Sequence, residues 1–206
     1  MVYFAGWGLI APTNHNTVPE KFRIRKEREI DLLLDRSLVL PESDRHGRQA
    51  TVSIGCVAEN MLQAAQAYGL TASLNFPQVG LEDTKPLAKD SETSPLTHVA
   101  TIKFNGQINE DVNAQMLNAM LNRKVERGVY DVKVKLPQSL QDVILQTPKD
   151  KGPGIETHLI TDRRIIQAFG ILQRQADTLV MGIPKFRKEL ADHFLPNSDL
   201  TNIRGM

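Results

Sequence analysis

Two short segments hold the residue types from which a binding site can be built. The first is Ala11-Pro12-Thr13-Asn14-His15-Asn16. Here Pro12 stops an apolar helix and exposes short hydrogen-bonding side chains and backbone amides. Such a run can read the edge of a planar heterocycle, whose carbonyls and ring nitrogens alternate as acceptors and donors. The second is NRKVERGVY, residues 122–130, where Arg123, Lys124 and Arg127 cluster at a helix end. Arg123 and Arg127 are spaced to share a helical face, so both can fork onto one phosphate. Taken singly, each segment reads more plainly. One is an Asn-rich turn; the other is a solvated last turn whose cations suit the helix dipole.

Other chemistries find less footing. His15, His46, His98, His158 and His193 are dispersed and never paired at metal-ligand spacing. The lone cysteine, Cys56, excludes an internal disulfide and a cysteine-rich metal cluster, and reads as a small buried hydrophobe. No GxGxxG, Walker A, HExxH, GxSxG or CxxC pattern occurs. Twenty-five Lys and Arg face 24 Asp and Glu, a net charge of +1, which argues against a nucleic-acid-binding surface. No apolar run approaches the ~20 residues of a membrane helix. The apolar N-terminus lacks the basic leader of a secretory signal. The expectation is a cytoplasmic protein without metal, nucleic-acid or membrane partners.

The elements that must position the two segments follow from periodicity. Residues 1–12 read as a buried apolar helix, one that begins at Met1 and so calls for upstream sequence or a second chain, hence a possible homodimer. Phe22 to Arg25 and Ile30 to Leu34 read as strands able to pair as a hairpin. Ser43 or Asp44 is placed to cap a helix over 48–68, whose small residues Gly55, Ala58, Ala64, Ala65 and Ala67 allow close approach. On it, Glu59 and Asn60 read as a polar face beside the packing surface. Gly69 stands at a left-handed C-cap. Strands are expected at 72–76, 98–104 and 156–160. Helices are expected at 111–124, at 140–145, and from Asp162 to Phe194 with a break near 182–184; 149–154 reads as a turn. That mixture predicts an α/β or α+β domain of layered sheet and helices. The loop at 78–95 suggests a division into halves 1–95 and 96–206.

Several segments, in order, resemble the FMN-dependent nitroreductase superfamily. APTNHNTVPEKF at 11–22 is similar to the signature APSxHNTQPWxF. DRHGRQATVSIGCVAENMLQAAQAYGL at 44–70 is similar to the following Gly-then-helix segment. RKVERGVY at 123–130 resembles RRTNRxPY. HLITDRRII at 158–166 and residues 186–206 resemble the C-terminal half of the longer branch, which looks like two fused nitroreductase units, here cut short. The resemblance implies a nitroreductase-like central sheet flanked by helices and an FMN site between loop and basic segment. Thr13, Asn14 and Asn16 would approach the isoalloxazine or ribityl chain; Arg123, Lys124 and Arg127 would approach the phosphate. It further implies an oxidoreductase passing electrons from NAD(P)H to a nitroaromatic or quinone-like acceptor, with no side-chain acid or base required. Val18 and Glu20 stand where the family has Gln and Trp, and Val125 and Glu126 alter the phosphate segment. Those departures leave open a non-catalytic flavin-binding protein, or a fragment that takes no flavin.

Overall fold

The computed structural model describes residues 1–25, 28–88, 91–109, 111–125, 128–131, 133–147 and 155–193. Its polypeptide divides into two compact units, residues 1–123 with 184–206, and residues 124–183. Among the described residues the class is mixed α/β, with six helices and a four-stranded antiparallel sheet.

The first unit carries the sheet. β1 (Glu20–Ile24) and β2 (Glu29–Asp35) form the expected hairpin, with Phe22 opposite Leu32. β3 (Thr71–Asn75) and β4 (Leu96–Asn105) complete it in the order β1-β2-β4-β3. Alternation along β2 sends Ile30, Leu32 and Leu34 to one face, where all three are buried. Against that face lies α2 (Arg48–Ala67), presenting Ile54, Val57, Met61, Ala64 and Ala65. Val52 is exposed, and the buried face runs through Ala50, Ser53 and Ile54. Apolar periodicity alone cannot set the phase where small residues occupy both sides of a helix. Gly69 adopts φ +72°, as its C-cap position requires.

α1 (Val2–Leu9) packs on α2 through Phe4 and Trp7, and Phe4 stacks on Phe104 with ring centroids 4.9 Å apart. It is half-buried rather than buried: Val2, Tyr3 and Leu9 are exposed. α3 (Ala114–Leu121) is shorter than expected. Asn113 caps its start by accepting from the Met116 amide, and Asn122 closes its end, its Nδ2 donating to the Asn118 carbonyl. α6 (Pro184–Asp192) also belongs to this unit.

On the polar face of the sheet, Asp31 is fully buried beneath half-exposed arginines. Its Oδ2 accepts from Arg23 and Arg25, each at 2.7 Å, and its Oδ1 from Thr101 at 2.8 Å. Burial opposes the charge, but the hydrogen bonds from Thr101, Arg23 and Arg25, with His98 nearby, hold the carboxyl below its ordinary value.

The second unit contains α4 (Gln138–Gln146) and α5 (Arg163–Met181). Asp162 caps α5 by accepting from the Arg164 amide at 2.8 Å. The strand expected at 156–160 does not form: residues 155–160 hold no ladder partner among the described residues, and apolar alternation without a neighbour to bond makes no strand. The turn expected at 149–154 and the residues beyond His193 lie outside the described residues. No described helix is long and apolar enough to cross a membrane, and no described His, Cys, Asp and Glu group could hold a metal ion.

Candidate functional site

The bend after α1 is an unusual stretch of backbone. Asn14–Asn16 make a single 3-10 turn, and His15, Asn16 and Val18 hold φ of +49°, +52° and +50°. For β-branched Val18 this is a costly conformation, about 1–3 kcal/mol, that only surrounding contacts can sustain. Those contacts are present. The Asn14 amide donates to Ser53 Oγ at 3.0 Å, and Ser53 Oγ donates onward to the Gln49 carbonyl at 2.9 Å. Thr13 Oγ1 accepts from the Val18 amide at 3.3 Å, and the Thr13 carbonyl from the Asn16 amide at 3.1 Å. Thus the bend is clamped onto the first turns of α2.

Between bend and helix lies a cavity of about 330 Å³, lined by Pro12, Thr13 and Asn14 and by Arg48, Gln49, Val52, Ser53 and Cys56 of α2. Its size falls at the lower end of small-ligand pockets, roughly 300–1,000 Å³. Donors and acceptors sit close together on its wall, and Arg48 supplies a guanidinium. The start of α2 reaches this place through Asp44, not by local capping. Gly47 is the residue that precedes the helix, while the Asp44 carboxylate accepts from the Gln49 and Ala50 amides at 3.0 and 2.8 Å. Of the two expected caps, Asp44 thus acts, at a distance.

The structure brings some of the expected site residues together. Thr13 and Asn14 line the cavity; Asn16 belongs to the same turn but not to its wall. Arg123 lies beside the bend, its Nη2 donating to the Ile10 carbonyl at 3.2 Å. Ile10 is the C-cap of α1, so this cation also answers that helix's negative end. Because α3 ends at Leu121, Arg123 is not helical, and the shared helical face expected for Arg123 and Arg127 is not formed from its side. Lys124 is exposed and opens the second unit, and Arg127 lies outside the described residues.

Sequence reasoning foresaw α6 as a helix but missed its contact with residues 42–43, and it missed Arg48 and Ser53. A serine inside an apolar helix gives no local sign that its hydroxyl will meet a loop amide far away in the chain. Glu189 of α6 accepts from the backbone amides of Glu42 and Ser43 at 2.9 and 2.8 Å, which sets Phe186 and Leu190 beside His15. As a test of fit, the bend and α2 suit the edge of a polar heterocycle. Arg123, with donors beyond the one given to Ile10, suits one arm of a phosphate contact.

No protein-family profile matches the chain. It is 30% identical over 125 residues to two proteins of Mycobacterium tuberculosis, uncharacterized protein Rv3127 of strain ATCC 25618 / H37Rv and uncharacterized protein MT3212 of strain CDC 1551 / Oshkosh. The match takes in 59% of this chain and 33% of each relative, so the chain spans about a third of the length of the curated relatives it matches.

Proposed function

We propose that this chain is a flavin-binding module of nitroreductase type, holding FMN at the bend between α1 and α2. The observation that carries this reading is the clamped, strained bend at residues 13–18, with Arg48 lining its cavity and Arg123 bonded to the Ile10 carbonyl just before it. Thr13, Asn14 and the start of α2 would read the heterocycle edge, and Arg123 would take the phosphate. When bound, FMN supplies the hydride and electron chemistry that links NAD(P)H to a nitroaromatic or quinone-like acceptor. The protein's part is to orient the ring and supply fixed dipoles around it.

The test is titration of the purified chain with FMN, followed by quenching of flavin fluorescence and by the visible spectrum. Saturable one-to-one binding is expected. A colourless protein that leaves flavin fluorescence unchanged at high micromolar concentration would overturn the reading.

Binding without turnover is a second reading, favoured by one observation. Glu20, which stands where the resembled signature has Trp, is 2% exposed and shares the core-facing side of β1 with Phe22, so it does not line the cavity. Oxidation of NADPH by the FMN-loaded chain separates the two: turnover supports the enzyme, tight binding without it the carrier.

A further inference from the structure

A second cavity, on a different face of α2, lies between that helix, the end of β3 and β4, and measures about 280 Å³. We propose that it binds a small, neutral, two-ring aromatic compound of the naphthol or indole class. This inference stands apart from the flavin reading, since none of its lining residues borders the bend cavity.

Four observations carry it. Small residues line part of it: Gly55, Ala58 and Ala100 contribute little side chain, and a Cβ added to Gly55 would meet nothing within 4 Å. Small residues there leave room for a ring. The volume suits two fused rings, since a cavity of roughly 150 Å³ holds one benzene ring. At the rim stands Phe76, 66% exposed, a large aromatic held out of the core where it can meet a ligand ring edge to face. Among the described lining residues none is charged, so a charged ligand would lose its hydration without a partner.

The wall is shaped by a β-bulge. Leu32 pairs with Ala100 and Leu33 with His98, leaving Val99 as an extra residue on β4. In a regular strand consecutive side chains point to opposite faces. Here Val99 and Ala100 both line the cavity, the kind of re-aiming that bulges produce beside binding sites. A polar point is fixed as well. The Thr51 hydroxyl donates to the Gly47 carbonyl at 2.8 Å, so towards a ligand this side chain can only accept. A phenolic O–H or ring N–H is the matching group.

The experiment is titration of the full chain, carrying 13C-labelled alanine methyls, with 2-naphthol. Saturable shifts are expected at Ala58 and Ala100, with Ala5 and Ala11 unmoved. Absence of saturable shifts at Ala58 and Ala100 overturns the proposal. Gly55→Leu fills the slot and should weaken binding at least tenfold, whereas Gln66→Ala, on the exposed side of α2, should bind as the parent does. Undiminished binding by a folded Gly55→Leu chain overturns it. Should that variant fail to fold, Phe76→Ala provides the second arm: several-fold weaker binding is expected, and unchanged affinity overturns the proposal. 2-Naphthoate should bind at least tenfold more weakly than 2-naphthol, and equal affinity overturns the neutral-ligand assignment.

Discussion

Arg123 donates from Nη2 to the carbonyl of Ile10 at 3.2 Å, joining positions 113 apart in the chain. It thereby ties the end of α3 to the end of α1, one residue before the Ala11–Asn16 bend. The same guanidinium answers a helix C-terminus and sits next to the bend of the proposed site.

That double role sets the first prediction. Arg123→Ala should lower FMN affinity about tenfold or more, since charge-assisted hydrogen bonds contribute roughly 1.5–3 kcal/mol. Its effect on folding should be small, because the bond to Ile10 is exposed. An FMN titration of the variant checks this, and unchanged affinity removes the phosphate assignment.

Ser53→Ala tests the clamp. It deprives the Asn14 amide of its acceptor, which should cost about 1 kcal/mol of stability. The local sign is more telling: hydrogen exchange at the Asn14 amide should quicken well beyond the global change. If protection there is unaffected, Ser53 is not what holds the bend.

Two glycines on either side of the first two turns of α2 should respond in opposite directions. Gly47 has φ +67°, and a Cβ there would lie 1.9 Å from the Thr84 carbonyl oxygen. Gly47→Ala should therefore cost more than about 2 kcal/mol, combining left-handed strain with a backbone clash. Gly55 sits inside the helix facing open space, so Gly55→Ala should stabilise by about 0.5–1 kcal/mol. Denaturant unfolding of both variants decides, and a stable Gly47→Ala chain would contradict the loop geometry.

Asp31 gives the fold a pH dependence. Its carboxyl is held below the ordinary value, so its contribution is fully present above the unfolded-state range near pH 4. That contribution is lost as pH falls through the lower folded value, because the unfolded chain then takes up the proton first. Asp31→Asn should cost about 1–3 kcal/mol at pH 7, and the gap from the parent should narrow in the acid range. Unfolding curves at neutral and acid pH measure it; a gap constant with pH would show that the ionised carboxylate is not what matters.

Much of the fold is written locally. The hairpin of β1 and β2, the extent of α2 from Arg48 and the left-handed Gly69 follow from periodicity and backbone preference within a few residues. Likewise, Pro12 and the polar run after it mark the bend. Tertiary structure alone decided the rest. It buried Ala50, Ser53 and Ile54 while Val52 stayed exposed, left residues 155–160 without a strand partner among the described residues, and carried the Asp44 cap past Gly47. Only the folded chain sets Ser53 under Asn14, Arg123 at Ile10, and a bulge at Val99 over Gly55. Side-chain period states which residues share a face; it does not state which distant amide, carbonyl or strand that face will meet, because those partners are chosen when the loops close and the sheet register locks.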